Sequence, residues 1–150
     1  MTTNTAFNCS ITKPCRTFSE AIGVTNSGGE VVVLDSAGYG PVTIAQSVSI
    51  IAPHGIFAGI SVVSGDGITI SGRMGDKVVL RGLTINGQGG LSGIKFMSGK
   101  ARSLIQDNGG AGIDLQGSTT YALLTGNVVR RSDPCLWRAA FPGYDVLGKA

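Results

Sequence analysis

The feature that most constrains this chain is a series of short apolar–polar–apolar triplets that recur from Glu30 onward. Glycine, aspartate, asparagine or proline residues separate the triplets, and each triplet is too short for a hairpin sandwich. Among them are Val42-Thr43-Ile44, Val48-Ser49-Ile50, Ile68-Thr69-Ile70 and Ile94-Lys95-Phe96. The steps between triplets cluster near about twenty residues, which is a solenoid period. A solenoid of this kind adds one strand to each stacked parallel sheet in every coil.

The composition agrees with many short strands joined by tight turns. Glycine accounts for 24 of 150 residues, aromatic residues for 6% and charged residues for 14%. The net charge of +3 is small, so we expect neither a disordered tail nor a nucleic-acid partner. No apolar run reaches the roughly 18 residues of a membrane span, so we expect no membrane partner. The length predicts one domain.

Each repeat is expected to contain two or three tiny strands, with Val78-Val79-Leu80 as a third strand inside one unit. We predict that the triplets stack in two columns along the solenoid. The central residues of the first column are Val32, Ser49, Thr69, Lys95 and Asp114. The second column contains Thr43, Ser61, Thr84 and the pairs at 104–105 and 123–124. Three asparagines follow second-column strands and are expected to form a hydrogen-bonded ladder: Asn86, Asn108 and Asn127. A leucine-rich repeat is the rival at this period, but its L-x-x-L-x-L pattern is absent.

The two ends of the chain differ from the repeat. Residues 1–16 form an irregular arm, and Thr17-Phe18-Ser19-Glu20 is a capping box that predicts a helix over residues 17–27. Phe18 and Ile22 lie on one face of that helix, which we expect to cover the first coil. Coils are predicted for residues 30–127, and residues 128–150 are predicted to be a nonrepeating tail.

The stretch from Pro14-Cys15-Arg16-Thr17-Phe18 to Arg81-Gly82-Leu83-Thr84-Ile85-Asn86-Gly87 resembles the right-handed parallel β-helix, pectate-lyase-like superfamily. It is most similar to uncharacterised secreted bacterial members, and the resemblance covers about residues 14–130. It implies an all-β solenoid, a short right-handed single-stranded parallel β-helix with an N-terminal capping α-helix. The superfamily includes polysaccharide lyases, hydrolases, epimerases and adhesins, so the resemblance implies a fold without fixing an activity.

Four charged residues are candidates for ligand binding. Lys95 and Asp114 occupy equivalent outward positions on adjacent coils, about 4.8 Å apart, and are expected to form an exposed ion pair. Arg81 and Arg102 precede strands of successive coils and could contact an acidic saccharide, although solvated turn charges are the plainer interpretation. The only histidine, His54, lies in a turn and is expected to have no catalytic role.

The resemblance leaves catalysis in doubt. Lyases of the superfamily use calcium-binding carboxylates with an arginine or lysine base, and its hydrolases use clustered aspartates. The acidic residues of this chain are scattered, without a D-D pair or D-x-D. We therefore expect a noncatalytic secreted or surface module that binds glycans or forms assemblies. The alternative is a polysaccharide-active, lyase-like enzyme that acts on the outward face of a parallel sheet.

The sequence also contains a possible calcium motif and a pair of nearby cysteines. Residues 109–114 match the G-G-x-G-x-D core of calcium-binding repeats, but there is one copy, and Gln116 stands where an apolar residue is expected. A glycine-rich turn without a cofactor or metal is therefore expected. Cys9 and Cys15 either form a local disulfide, which implies an oxidising compartment, or remain free thiols. The N-terminus lacks a signal peptide, so the chain is intracellular or a mature form; with the resemblance, we expect secretion or the cell surface.

The tail is the predicted contact between subunits. It contains Trp137, Phe141 and Tyr144, and it is more aromatic than the preceding coils. The last coil of a solenoid exposes strand edges and apolar side chains unless something covers them. We therefore expect a homo-oligomer that forms through the C-terminal end. One alternative to the oligomer is a tail that covers only its own coil. Another is that the chain is a fragment of a longer β-helix.

Overall fold

The structure is a computed structural model that describes residues 9–97 in full, apart from residue 74, together with the backbone of six later strands. In this part of the chain one helix, α1 (Phe18–Val24), precedes fifteen strands in three sheets. Sheet 1 contains β1 (Gly29–Val32), β4 (Val48–Ile51), β7 (Lys77–Arg81), β10 (Arg102–Gln106) and β13 (Tyr121–Thr125). Sheet 2 contains β2 (Ala37–Gly38), β5 (Ala58–Val62), β8 (Leu83–Gly87), β11 (Gly109–Gly110) and β14 (Val128–Val129). Sheet 3 contains β3 (Val42–Ile44), β6 (Asp66–Ile70), β9 (Ser92–Phe96), β12 (Ile113–Leu115) and β15 (Trp137–Ala139).

The chain visits the three sheets in turn, and neighbouring strands of each sheet are parallel. β1 pairs with β4, β2 with β5 and β3 with β6, and the same order continues through the later strands. Each passage through the three sheets is one coil. The architecture is therefore β-rich, parallel and solenoid-like, which confirms the predicted fold class at this level.

The prediction of two columns is wrong, because each coil contributes three strands. Ser49 lies in sheet 1 opposite Glu30 and Val79, whereas Thr69 and Lys95 are register partners in sheet 3. The first predicted column therefore mixes two sheets. The second does the same, since Thr43 is in sheet 3 and Thr84 is in sheet 2. The strands that the prediction missed include β2 and β11, which have two residues each and show no periodic pattern.

The first member of the predicted asparagine ladder lies within a strand. Asn86 belongs to β8, opposite Ser61 of β5, rather than to a turn after the strand. Asn108 and Asn127 lie outside the described residues, so the ladder itself stays a prediction.

The capping box positions α1 over the first coil. The side-chain oxygen of Thr17 accepts a hydrogen bond from the Glu20 backbone N–H, and the Glu20 carboxylate accepts one from the Thr17 backbone N–H. Each donor–acceptor distance is 3.2 Å. This arrangement confirms the predicted cap. Phe18 is 1% exposed, and its ring stacks on Tyr39 with centroids 4.9 Å apart. The helix ends at Val24, earlier than predicted, because Thr25 is already extended.

The core fills the space between the sheets with β-branched and leucine side chains. One inward residue from a strand stacks on its register partner in the next coil, as Ile44, Ile70 and Phe96 do in sheet 3. Equivalent stacks occur in sheet 1 with Ile50 on Leu80 and in sheet 2 with Ile60 on Ile85. These side chains are 2% exposed or less, so the outward positions between them are held rigidly.

Part of the predicted tail continues the sheets. β14 pairs with β11, and β15 pairs with β12 with Trp137 opposite Ile113. The solenoid therefore extends beyond residue 127 at both of these positions, which departs from the predicted end of the coils. No helix among the described residues has the length and apolar character required to cross a membrane.

Candidate functional site

The outer face of sheet 3 carries a row of polar side chains. Parallel register places Thr43 beside Thr69 and Thr69 beside Lys95. In β3, the exposed Thr43 lies between the buried residues Val42 and Ile44. Neighbouring strands are about 4.8 Å apart, so these residues form a continuous line across three coils. We refer to Thr43, Thr69 and Lys95, together with Asp66, as the sheet 3 row.

Asp66 joins this row because the alternation of faces breaks in β6. Gly67 and Ile68 are both buried, so the outward positions of the strand are Asp66 and Thr69, three residues apart. A Cβ on Gly67 would lie 2.7 Å from the carbonyl oxygen of Gly93 and 2.8 Å from a methyl carbon of Val62. Only glycine fits this inward position, and the irregularity it permits turns the Asp66 carboxylate outward.

The strand β9 repeats the same irregularity one coil later. Gly93 and Ile94 are both buried, and Ser92 and Lys95 flank them. Asp66 is the register partner of Ser92, so Lys95 lies three positions further along the neighbouring strand. The long lysine side chain spans this offset and reaches back across the sheet to the carboxylate.

Asp66 and Lys95 form an ion pair on the outer face. The Lys95 Nζ lies 3.3 Å from Oδ2 of Asp66, and the two side chains are 23% and 15% exposed, respectively. The second carboxylate oxygen, Oδ1, is buried and has no hydrogen-bond partner among the described residues. A buried acceptor without a donor costs roughly 1–3 kcal/mol. Oδ1 of Asp66 is therefore the buried side-chain oxygen of the row that has no partner among the described residues.

The structure brings together one pair of the predicted ligand-binding residues. Lys95 and Asp114 are register partners in β9 and β12, as expected for adjacent coils. The side chain of Asp114 lies outside the described residues, and the observed partner of Lys95 is Asp66. Asp66 is not predicted from the sequence, because its glycine neighbours, Gly65 and Gly67, are typical of a turn. The sequence signal for Asp66 is the adjacent Gly67, which lets the strand begin at Asp66 with an interrupted alternation of faces.

The two predicted arginines lie elsewhere. Arg81 and Arg102 belong to β7 and β10 of sheet 1, whereas Lys95 and Asp114 belong to sheet 3. Within sheet 1, Arg81 is opposite Gln106 and Arg102 is opposite Lys77, so the arginines are at opposite ends of their strands. The pair of Arg81 and Gln106 is four residues of extended strand, or about 13 Å, from the pair of Arg102 and Lys77. The four candidates therefore belong to two different sheets.

A groove lies at the other end of the described structure, beside the first coil. Cys9 and Cys15 form a disulfide with Cα atoms 4.7 Å apart, which closes a loop against the first coil. The groove has a volume of about 270 Å³ and lies between this loop, α1 and β1. At its margin the Tyr39 hydroxyl donates to Asp35, whose Oδ1 and carbonyl oxygen are each 2.6 Å away. Burial and this hydrogen bond raise the pKa of Tyr39 to about 12.

The remaining predicted residues lie away from the sheet 3 row or outside the described residues. Within the described residues no group of three or more histidine, cysteine, aspartate or glutamate side chains is placed to hold a metal ion. His54 is exposed in a turn. Trp137 is placed by its backbone in β15, and Phe141, Tyr144 and Cys135 lie outside the described residues.

Comparison with known proteins identifies no relative. No protein-family model, curated protein or solved structure matches this chain. The resemblance to the pectate-lyase-like superfamily therefore stays a prediction, and functional argument rests on the geometry of the chain itself.

Proposed function

We propose that this chain is a noncatalytic glycan-binding module, built as a short right-handed parallel β-helix and located outside the cell or at its surface. In this proposal the sheet 3 row binds a polysaccharide. The observation that carries the proposal is the Asp66–Lys95 ion pair, whose partly exposed side chains lie on the same outer face as Thr43 and Thr69. A sugar hydroxyl on this face can donate to the exposed part of the carboxylate or accept from the ammonium.

The chemistry of the row suits a polymer of hydroxyl groups. The Lys95 ammonium donates hydrogen bonds, the Asp66 carboxylate accepts them, and the hydroxyls of Thr43 and Thr69 do both. Because these residues lie on successive parallel strands, polar groups repeat across the face at about 4.8 Å. A chain of linked sugars presents hydroxyls repeatedly and can contact several strands at once, and the rigid core beneath the row keeps the groups in place.

The alternative, a lyase-like enzyme, has less support. Elimination needs a base and a separate positive group to neutralise the uronate. Lys95 is the one cation in β3, β6 and β9, the strands of sheet 3 with described side chains, and its Nζ is held 3.3 Å from a carboxylate. An ammonium in this position donates hydrogen bonds and does not accept a proton.

Two further features support the proposed location and assembly. The Cys9–Cys15 disulfide suits an oxidising compartment, in which such bonds persist. The strands β13, β14 and β15 are the last of the described strands in their sheets, and a homo-oligomer formed through this C-terminal end would cover their edges.

The proposal is tested by binding of the full chain to polygalacturonate, alginate and dextran, measured by affinity electrophoresis and calorimetry. We expect at least one of these polymers to bind. Asp66→Asn and Lys95→Ala should each weaken that binding by about tenfold, because each removes a charge-assisted hydrogen bond. Lys77→Ala is the matched control, since it removes the same charge from an exposed position in sheet 1.

Two results would overturn the proposal. One is the absence of binding to all three polymers, or an equal loss in the Lys77→Ala control. The other is steady formation of unsaturated product from polygalacturonate or alginate that Lys95→Ala abolishes, which would establish the lyase alternative instead.

A further inference from the structure

The groove beside the first coil has the shape of an open slot along a strand edge. One wall is β1 and the residues that follow it. The opposite walls are the disulfide-closed loop and α1. The lining residues that matter here are Glu30, Val32, Leu34, Asp35, Ile11 and Cys15. We refer to this space as the α1–β1 groove.

The strand wall of the groove is a sheet edge. β1 is the first strand of sheet 1 and pairs on one side with β4. Six consecutive residues, 30–35, line the groove, so the slot runs along β1 and the segment that follows it rather than across them. An edge strand presents backbone N–H and C=O groups that can pair with a further extended segment. The groove therefore suits an extended backbone better than a compact ligand.

The side chains in the groove set the chemistry of the occupant. Val32 and Leu34 are 45% and 48% exposed, and Ile11 on the loop is 82% exposed, so three apolar side chains are open to a partner. Glu30 and Asp35 are the charged residues of the lining. They are five positions apart and flank the apolar residues, although the chain as a whole has a net charge of +3. This charge pattern complements a segment with apolar residues between basic ones.

We propose that the α1–β1 groove binds an extended peptide segment of another protein, in which apolar residues lie between basic residues, as an added strand on β1. The backbone of the segment pairs with β1, its apolar side chains contact Val32, Leu34 and Ile11, and its basic residues meet Glu30 and Asp35. The Tyr39 hydroxyl holds the Asp35 carboxylate in position through a 2.6 Å hydrogen bond. This proposal is independent of the sheet 3 row.

The disulfide maintains the loop wall. Cys9 and Cys15 both line the groove, and the bond between them closes the loop that carries Ile11. Reduction frees that loop. The loop must then become ordered when the peptide binds, and the entropy cost of this ordering lowers the affinity. Peptide binding should therefore weaken when the disulfide is reduced.

The test uses the full oxidised chain and a fluorescent Lys-Val-Thr-Val-Lys peptide in an anisotropy titration. We expect saturable binding. The twin peptide Glu-Val-Thr-Val-Glu should bind at least about fivefold more weakly at low ionic strength. A Lys-Val-Thr-Val-Lys peptide N-methylated at both valines keeps its side chains and loses two donors, and should bind about tenfold more weakly.

Matched variants separate this site from the sheet 3 row. Glu30→Gln should weaken peptide binding, whereas Asp66→Asn makes the same charge change on another sheet and should leave peptide binding unchanged. Equal binding of the N-methylated peptide would overturn strand addition, and so would the absence of peptide binding. A chain that dimerises through this groove, with Glu30→Gln changing the dimer and the peptide failing to compete, would show that the occupant is a second copy and would also overturn the proposal.

Discussion

The Nζ of Lys95 lies 3.3 Å from Oδ2 of Asp66, on the neighbouring strand and three positions from its direct register partner. The pair depends on two irregular strand segments, in which a buried glycine and a buried isoleucine follow each other. Without them Asp66 and Lys95 would lie on different faces of sheet 3. The ion pair is therefore a product of the glycines at positions 67 and 93 as much as of the charges themselves.

The ion pair should contribute modestly to stability. Lys95→Met keeps most of the side-chain stem and leaves the Asp66 carboxylate without its partner. We expect the free energy of unfolding to fall by about 1–2 kcal/mol, between the values for surface and buried pairs. Urea titration measures this change. Lys77→Met is the control and should stay within about 0.5 kcal/mol of the parent chain; equal effects of the two variants would contradict the assignment.

The parts of the fold that the sequence predicts are those with a strong local signal. The Thr17 capping box identified the start of α1, because two reciprocal hydrogen bonds need those residue types at that spacing. Triplets such as Val42-Thr43-Ile44 identified strands of the core, because inward and outward residues alternate. Parallel stacking followed from the repeat of these triplets.

The parts that the sequence did not predict lack such a signal. β2 and β11 have two residues each and contain glycine, so their place in a sheet comes from tertiary pairing with β5 and β8. Asp66 was missed because Gly67 interrupts the alternation that defines a strand. The disulfide was one of two open alternatives, since the spacing of Cys9 and Cys15 is compatible with either state.

The packing of α1 on the first coil should depend on Phe18. Its side chain is 1% exposed and stacks on Tyr39, so truncation leaves a cavity between helix and sheets. We expect Phe18→Ala to lower the free energy of unfolding by about 3–5 kcal/mol. Ile11→Ala, at a position 82% exposed, is the control and should change stability by about 0.5 kcal/mol or less. A loss below about 1 kcal/mol for Phe18→Ala would contradict this packing.

Two glycines with positive φ allow backbone conformation and crowding to be separated. Gly55 has φ of 88° and open space around it, whereas Gly82 has φ of 73° and a Cβ there would lie 2.5 Å from the Ala52 carbonyl oxygen. Gly55→Ala should cost about 1–2 kcal/mol for the left-handed conformation alone. Gly82→Ala should cost clearly more, because the backbone of the preceding coil must move. Equal losses in thermal unfolding would show that the two coils do not approach closely at this corner.

Tyr39 should make stability fall at high pH. Burial, and then the hydrogen bond and charge of Asp35, raise the pKa of Tyr39 to about 12 from the ordinary value of 10.0. The folded state therefore favours the neutral phenol, and its contribution is complete below pH 10 and lost as the pH rises to about 12. Unfolding measured between these limits should show this decline in the parent chain and a flatter profile in Tyr39→Phe. Identical profiles would contradict the raised pKa.

The C-terminal end should mediate self-association. Within the part of the chain that the structure describes, β13, β14 and β15 are the last strands of their sheets, and β14 and β15 are short, with two and three residues. Such edges have unpaired backbone groups that a second copy can cover. We expect light scattering at high micromolar concentration to give a mass that is a multiple of 15.3 kDa.

Trp137→Ala, in β15, should shift the equilibrium toward the monomer, because aromatic residues contribute strongly to interface cores. Phe57→Ala is the control, since it removes an exposed aromatic side chain immediately before β5 and should leave the mass unchanged. A 15.3 kDa species throughout the concentration range would instead favour a tail that covers only its own coil.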